Sequence, residues 1–138
     1  MTVGIIGLGL MGGSLGLALQ HIKFVTKVVG FDHNLSHCEE ALKLSLVHDI
    51  VSFAQIKESD VIILAIPVGG IIAVLQLLQD IPSTTTIIDL GSTKAEIVAS
   101  VPANIRPNFI AAHPMTGTEK FGPSAALQNL YHDKIVVL

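Results

Sequence analysis

Apolar and polar positions alternate in short blocks along the chain, and the blocks predict strands and helices in turn. The first block, Thr2 to Ile6, is short and rich in β-branched residues, as is typical of a buried strand. The next block, Ser14 to Ile22, has apolar residues at helical spacing, and Lys27 to Phe31 is a second apolar strand. Strand, helix and strand in this order make a βαβ unit, which predicts a parallel sheet.

The remainder of the chain continues this alternation. In chain order, the pattern predicts a helix from Leu35 to Leu46, a short strand within Val47 to Val51, a strand from Val61 to Ile66, a helix from Gly70 to Leu78, a strand from Thr86 to Leu90, a short helix from Lys94 to Ser100, a strand near Phe109 to Ala112 and a last strand from Lys134 to Leu138. The predicted fold class is therefore α/β and Rossmann-type, with a doubly wound, mainly parallel sheet and helices on both faces. The 138 residues are enough for one such domain.

The residues between the first strand and the first helix carry the most specific signal in the chain. They are Gly7, Leu8, Gly9, Leu10, Met11 and Gly12. They match the G-x-G-x-x-G fingerprint of dinucleotide binding and lie on the predicted turn between strand and helix, the context that it requires. Gly7 permits the tight turn, Gly9 has no Cβ to keep a pyrophosphate from the backbone amides, and Gly12 lets helix and strand approach closely. The positive end of the helix then holds the diphosphate.

The second strand ends in an acid that bears on the choice of cofactor. Asp32 lies 20 residues past Gly12, where an acid is expected to bind the hydroxyls of the adenosine ribose. The alternative is that Asp32 is only a turn residue before the next helix. No Lys or Arg follows it to meet a 2′-phosphate, and His33 is the only nearby candidate for that role. The predicted cofactor is therefore NAD rather than NADP.

Composition excludes several other classes of protein. Half of the residues are hydrophobic and 14% are charged, which suits a sheet covered on both faces. A net charge of −3, with Arg106 as the single arginine, argues against nucleic-acid binding. The single cysteine, Cys38, allows no internal disulfide, so a cytoplasmic location is expected. Glycine or proline interrupts the uncharged stretches Met1 to Ile22 and Val61 to Gln79, so neither is expected to span a membrane.

Three loops after apolar strands lie at the edge of the sheet where the cofactor is expected, and the third contains His113. In the first, Ile66 and Pro67 can place the backbone against a ribose or the nicotinamide, or Pro67 can simply end the strand. In the second, Thr93 and Glu96 have the spacing of a capping box. That role for Thr93 leaves the hydroxyl of Ser92 uncommitted and available to a ligand.

Charged or titratable side chains also reach this edge. Lys94 is expected to point to solvent rather than to a bound anion. His113 ends an apolar strand, where a residue needed only for packing would be aliphatic. An imidazole with a pKa of about 6.5 is suited to accept a hydroxyl proton while hydride leaves the same carbon. His113 is therefore predicted to be catalytic, with a structural histidine as the alternative.

The sequence resembles the prephenate dehydrogenase family of tyrosine biosynthesis. The resemblance rests on three segments that occur in the family's order, namely Gly7 to Ser14, Asp89 to Lys94, and His113 to Lys120. It implies NAD-dependent oxidative decarboxylation of prephenate to 4-hydroxyphenylpyruvate, with release of carbon dioxide and NADH and without a metal.

The resemblance also implies roles for single residues. His113 would hydrogen-bond the C4 hydroxyl of the substrate ring, Ser92 would orient His113 and the nicotinamide, and Thr118 and Glu119 would border the substrate. Phe121 departs from the small polar residue of many relatives. Family members carry a helical C-terminal domain, absent from this chain, that forms the homodimer and supplies an arginine for the substrate's carboxylate. The isolated chain is therefore expected to bind NAD but to turn over prephenate poorly.

Three alternatives stay open at this point. An arogenate or dual-specificity cyclohexadienyl dehydrogenase would act on a substrate that carries an ammonium group in place of the oxo group. Hydroxyacid and imine reductases share the glycine motif but do not require the segment that begins at His113. A non-catalytic NAD-binding module, such as a redox sensor or regulatory domain, needs neither the Ser92 loop nor the His113 loop.

Overall fold

A parallel sheet forms the centre of the molecule. The structure is a computed structural model that describes residues 1–114, 122–126, 130 and 136–137. Within them the sheet contains β1 (Thr2–Ile6), β2 (Lys27–Phe31), β3 (Asp49–Ile50), β4 (Val61–Leu64), β5 (Thr86–Asp89) and β6 (Phe109–Ala111). Their order is β3-β2-β1-β4-β5-β6, and every neighbouring pair is parallel. The order reverses between β1 and β4, which opens a crevice at the carboxyl ends of the strands.

Helices connect the strands and cover both faces of the sheet. They are α1 (Leu10–Leu19), α2 (Leu35–Lys43), α3 (Phe53–Ile56), α4 (Val68–Leu77) and α5 (Lys94–Ala99). Strand residues alternate between two apolar clusters, so that Ile5 and Ile63 pack on one face while Ile6 and Ile62 pack on the other. The first cluster includes residues of α1 and α2, and the second includes residues of α3, α4 and α5. The predicted doubly wound, Rossmann-type fold is confirmed.

The first helix begins earlier than its apolar spacing predicts. It starts at Leu10 rather than Ser14, so Gly12 lies inside the helix and not on the turn. A Cβ at Gly12 would overlap the carbonyl oxygen of Gly7. The helix is therefore able to begin against the end of β1 only because this position carries no side chain.

Two further differences concern the segment between β2 and β4. The second helix was predicted to reach Leu46 but ends at Lys43, because Ser45 takes a φ of 57°, in the left-handed region that ends helices. Helix α3 was not predicted. It begins with a capping box in which the Ser52 hydroxyl accepts from the Gln55 amide at 3.2 Å and the Gln55 side chain accepts from the Ser52 amide at 2.9 Å.

The end of the chain differs from the prediction in one important respect. His113 does not end the sheet strand, because β6 ends at Ala111. His113 instead begins a short strand β7 (His113–Pro114) that pairs antiparallel with β8 (Val136–Val137). The rest of the predicted strand from Lys134 to Leu138 lies outside the described residues. In the described part of the chain, no helix is long and apolar enough to cross a membrane.

Candidate functional site

A cleft of about 660 Å³ lies at the carboxyl ends of β1, β2 and β4. Its walls are mostly apolar and are formed by Ile6, Phe31, Phe53, Ile66, Pro67, Val74 and Leu77, together with Gly7, Gly70 and Ala73. Asp32 and His33 supply polar side chains to the lining, and none of its described residues is Lys or Arg. An apolar slot that ends in a carboxylate has the chemistry to hold a flat heterocycle and to accept hydrogen bonds from sugar hydroxyls.

The glycine-rich loop lies beside this cleft and presents backbone rather than side chains. Gly7 takes a φ of 99°, a conformation that favours glycine, and its amide donates to Phe31 O at 2.9 Å. Among the described residues, the nearest atom to a Cβ at Gly9 would be the amide nitrogen of Gly122, at 3.7 Å. Gly9 is also the N-cap residue of α1 and, as a glycine, has no side chain with which to cap the helix. The amino end of α1, where the helix dipole is positive, therefore adjoins the glycine-rich loop, an arrangement that favours an anion.

The larger residues of the motif pack inward. Leu8 is fully buried in the apolar cluster beneath α1 and α2, and Leu10 packs against Leu130. Met11 is partly buried beside that pair. The side chains of Leu8 and Leu10 therefore anchor the loop by packing in apolar clusters. Any contact that these residues make to a nucleotide would come from their backbone.

Asp32 joins the end of β2 to the glycine-rich loop. One carboxylate oxygen accepts from the Leu8 amide at 3.0 Å, and the other accepts from the Asn34 amide at 2.9 Å. His37 approaches the same carboxylate, with Nδ1 at 3.5 Å from Oδ2. The side chain keeps 10% exposure and borders the cleft. Asp32 is thus part of the turn before α2 and also presents a carboxylate to the predicted ribose position.

The predicted first loop, at the end of β4, lines the cleft as well. The strand ends at Leu64, two residues before Ile66 and earlier than its apolar pattern predicts. Pro67 follows with a φ of −58° as the N-cap residue of α4. Both Ile66 and Pro67 face the cleft, so they lie on the loop between strand and helix rather than in the sheet.

The second loop differs from the prediction in two ways. Thr93 precedes α5, but its side chain forms no capping hydrogen bond, so the predicted capping box with Glu96 is wrong. Lys94 does not point free into solvent, because its Nζ donates to Asp89 Oδ2 at 2.7 Å. Asp89 is fully buried at the end of β5, and the same oxygen accepts from the Gly91 amide at 3.0 Å. A buried carboxylate requires a partner, and this requirement draws the lysine inward.

Ser92 and His113 follow two adjacent strands, β5 and β6, at the same edge of the sheet. Ser92 is exposed at the end of the β5 loop, and His113 is half-buried just past β6. The amide of Ala112 donates to Asp89 O at 3.1 Å and ties the two segments together. The Nδ1 atom of His113 is buried and has no hydrogen-bond partner among the described residues. Thr118, Glu119 and Phe121 lie outside the described residues.

Sequence reasoning missed two features of this site. Phe53 of α3 forms a wall of the cleft and contacts Phe31 edge to face, with 5.7 Å between ring centroids. The Ser52–Gln55 spacing was a readable signal for that helix. The ion pair of Asp89 and Lys94 was also missed, although an acid within a predicted apolar strand suggests a buried carboxylate that needs a cation. In the described part of the chain, no cluster of His, Cys, Asp or Glu could hold a metal ion.

Comparisons with known proteins place these features in a family. A family model described as "Prephenate dehydrogenase, nucleotide-binding domain" matches residues 15–138. The chain is similar to the prephenate dehydrogenase of Bacillus subtilis strain 168, with 32% identity over 143 residues that cover 99% of this chain and 38% of that protein.

Two solved structures are also similar to this chain. One is the prephenate dehydrogenase of A. aeolicus in complex with hydroxyphenyl propionate and NAD+, with 31% identity and a TM-score of 0.90 over 99% of this chain and 49% of that one. The other is the arogenate dehydrogenase of Synechocystis, with 28% identity and a TM-score of 0.88 over the same shares. The chain spans less than half the length of each of these three proteins. Since the family model matches most of the chain, the chain belongs to the family of the prephenate dehydrogenase nucleotide-binding domain.

Proposed function

We propose that this chain is the NAD-binding domain of a dehydrogenase that converts prephenate to 4-hydroxyphenylpyruvate. The observation that supports this most strongly is the position of the glycine-rich loop. It lies beside β1, where the strand order reverses, and it adjoins an apolar cleft that Asp32 closes with a carboxylate. This is the place where open α/β sheets bind their ligands.

The residues present fit a dinucleotide. The positive amino end of α1 and the absence of a side chain at Gly9 suit the diphosphate, and the apolar cleft suits the adenine. The carboxylate of Asp32 has further lone pairs with which to accept bonds from ribose hydroxyls. A 2′-phosphate would meet this carboxylate, and no Lys or Arg is among the described residues that line the cleft. These features support NAD over NADP.

In the proposed reaction, NAD+ supplies the hydride acceptor when it is bound. His113 accepts the proton of the C4 hydroxyl as the C4–H bond breaks and the C–O bond becomes a carbonyl. The ring carboxylate then leaves as carbon dioxide, and the resulting phenolate regains a proton, so that atoms and charges balance. His113 is half-buried, and its Nδ1 atom has no hydrogen-bond partner in the described structure. The described fold therefore does not use this ring nitrogen, which supports a role for the imidazole in proton transfer. Ser92 is exposed at the neighbouring strand end, where its hydroxyl would orient the imidazole and the nicotinamide.

We further propose that this domain supplies only part of the active site. Thr118 and Glu119 would border the substrate, as the family resemblance implies. Arg106 precedes β6, whereas His113 follows it, so the two residues belong to opposite ends of this strand and Arg106 is not expected to bind the substrate's carboxylate. The relatives are more than twice as long as the matched region. An arginine from their additional length, in a domain that also forms a homodimer, would complete the site.

Two measurements test this function. NADH is first titrated into the chain and followed by nucleotide fluorescence, with NADPH titrated in parallel; NADH should saturate and NADPH should bind more weakly. Initial rates of NADH formation are then measured for a protein of the relatives' full length with prephenate and with arogenate. Faster oxidation of arogenate would reassign the substrate, as the similarity to the Synechocystis enzyme allows. NADH binding without oxidation of either compound would favour a non-catalytic NAD-binding module, and the absence of NADH binding would refute the proposal.

The role of His113 is tested in the same full-length protein. His113→Asn should lower turnover by a factor of about 100 or more, because general acid–base catalysis contributes on that scale, and should leave NADH affinity nearly unchanged. His21→Asn is the matched control, since His21 is an exposed residue just past the end of α1. Equal turnover in the His113 variant and the control would remove this residue from the mechanism.

A further inference from the structure

The buried ion pair at the end of β5 is not explained by stability alone. Asp89 is fully buried, whereas the side chain of its partner Lys94 keeps 27% exposure. Removing a carboxylate from water is so costly that buried ion pairs often stabilise a protein no more than apolar residues of the same volume would. The second carboxylate oxygen, Oδ1, is buried and has no hydrogen-bond partner among the described residues. A group with this cost and an unused acceptor suggests a role other than packing.

The geometry of the pair shows what it holds in place. Asp89 Oδ2 accepts from the Gly91 amide at 3.0 Å and from Lys94 Nζ at 2.7 Å. Gly91 and Lys94 lie on either side of Ser92 in the chain. One oxygen atom of Asp89 therefore anchors the loop both before and after Ser92. Gly91 is itself enclosed, since a Cβ there would lie 2.6 Å from Ile97 Cδ1. Ser92 is left exposed, together with Thr93, in a loop that is anchored on both sides.

Asp89 is also connected to the segment that carries His113. The carbonyl of Asp89 accepts from the Ala112 amide at 3.1 Å, one residue before His113. Asp89 therefore lies between the two segments that hold the proposed reacting groups, but it has no exposed surface with which to contact a ligand itself.

We propose that Asp89 is a positioning residue, which acts through Lys94 and Gly91 to hold Ser92 at the nicotinamide end of the site. This inference rests on the proposed NAD-binding function. It implies that loss of the ion pair weakens contacts to the nicotinamide and leaves contacts to the adenosine diphosphate unchanged, because Asp32 and the glycine-rich loop are on other strands.

The test compares two nucleotides that differ at the nicotinamide. Dissociation constants for NADH and for ADP-ribose are measured on the chain and on the double variant D89N/K94M, which removes both charges and keeps similar shapes. The dissociation constant for NADH should rise about 10-fold, a coupling typical of residues in one network, while that for ADP-ribose should stay within about twofold. Lys94→Arg is the second variant, because it keeps the charge but displaces the donor, and it should act in the same direction. If the double variant does not fold, the two dissociation constants of Lys94→Arg test the role of Asp89 instead.

A double-mutant cycle shows whether the effect passes through Ser92. In a Ser92→Ala background, D89N/K94M should weaken NADH binding by no more than about twofold further. The control is K57M/D80N, which removes an ion pair of the same chemistry on the surface, with Nζ to Oδ2 at 2.8 Å; neither nucleotide should lose affinity. Equal loss of both nucleotides, no loss of NADH, or a full additional loss in the Ser92→Ala background would each overturn the role of Asp89. Failure of the unaltered chain to bind NADH would instead refute the proposed function.

Discussion

Gly9→Ala is a change in the glycine-rich loop that should weaken nucleotide binding and leave the stability of the fold nearly unchanged. The φ of −88° at this position is open to any residue, and the nearest described neighbour of an added Cβ would be the amide nitrogen of Gly122, at an ordinary contact distance of 3.7 Å. Nothing in the described structure therefore opposes alanine at this position. The added methyl group would occupy the space next to the first turn of α1, where the diphosphate is proposed to lie.

The expected magnitudes follow from these contacts. Alanine is a poorer N-cap residue than glycine by up to about 1 kcal/mol. The substitution also restricts the unfolded chain, which returns about 0.4–1 kcal/mol of stability. The free energy of unfolding should therefore change by less than about 1 kcal/mol. Loss of one hydrogen bond to a charged phosphate costs about 1.5–3 kcal/mol, which weakens nucleotide binding by about 10- to 150-fold.

Gly12→Ala is the matched variant, with the same added atom three residues later. Its Cβ would overlap the carbonyl oxygen of Gly7, so the helix would have to move away from β1. We expect the free energy of unfolding to fall by about 1–3 kcal/mol or more, as for other overpacked sites. Urea unfolding followed by circular dichroism gives the stabilities, and titration with NADH and ADP-ribose gives the affinities.

Gly9→Ala should therefore be the more stable of the two variants in urea and the weaker binder of NADH and ADP-ribose. If Gly9→Ala binds both nucleotides as tightly as the unaltered chain, the diphosphate does not lie against this loop. If Gly9→Ala unfolds as readily as Gly12→Ala, the affinity loss reflects a damaged fold and the geometric reasoning fails.

Two other predictions follow from hydrogen bonds of single carboxylates. Asp32→Ala leaves the amides of Leu8 and Asn34 without their acceptor, so the nucleotide-free chain should lose about 1–3 kcal/mol in urea unfolding; an unchanged midpoint would show that the carboxylate does not hold the loop. The hydrogen bond from Lys57 lowers the pKa of Asp80, so Lys57→Met should raise that pKa in an NMR titration of the carboxyl group. Because the folded-state pKa is lowered, the stability from this pair is present above the ordinary value of 3.8 and is lost as the pH falls through the lowered one. A stability difference between variant and unaltered chain that grows on acidification would contradict this sign.

Local patterns in the sequence determined most of the elements and the residue types of the site. The runs Thr2–Ile6 and Lys27–Phe31 were predicted with their observed ends, because β-branched residues bounded by glycine or polar residues have few other stable arrangements. The glycine motif could also be recognised in the sequence, because glycine allows the positive φ that Gly7 adopts. Even the missed helix α3 had a local signal in Ser52 and Gln55.

Tertiary packing decided what the local patterns left open. Thr93 and Glu96 have capping-box spacing, yet Thr93 makes no cap, and Lys94 is held by the buried carboxylate of Asp89 instead. The first helix begins four residues early because Gly12 fits against β1, and spacing of apolar residues does not report such close contact.

The sequence by itself therefore determined an alternating α/β chain with a nucleotide motif, because turns, helices and strands depend on neighbouring residues. Only the tertiary structure decided which strands adjoin, where the crevice opens, and that Asp32 holds the amide of Leu8 24 residues away. It also decided that His113 leaves the parallel sheet for a separate strand. These outcomes depend on burial and on partners distant in sequence, and a local pattern contains no information about either.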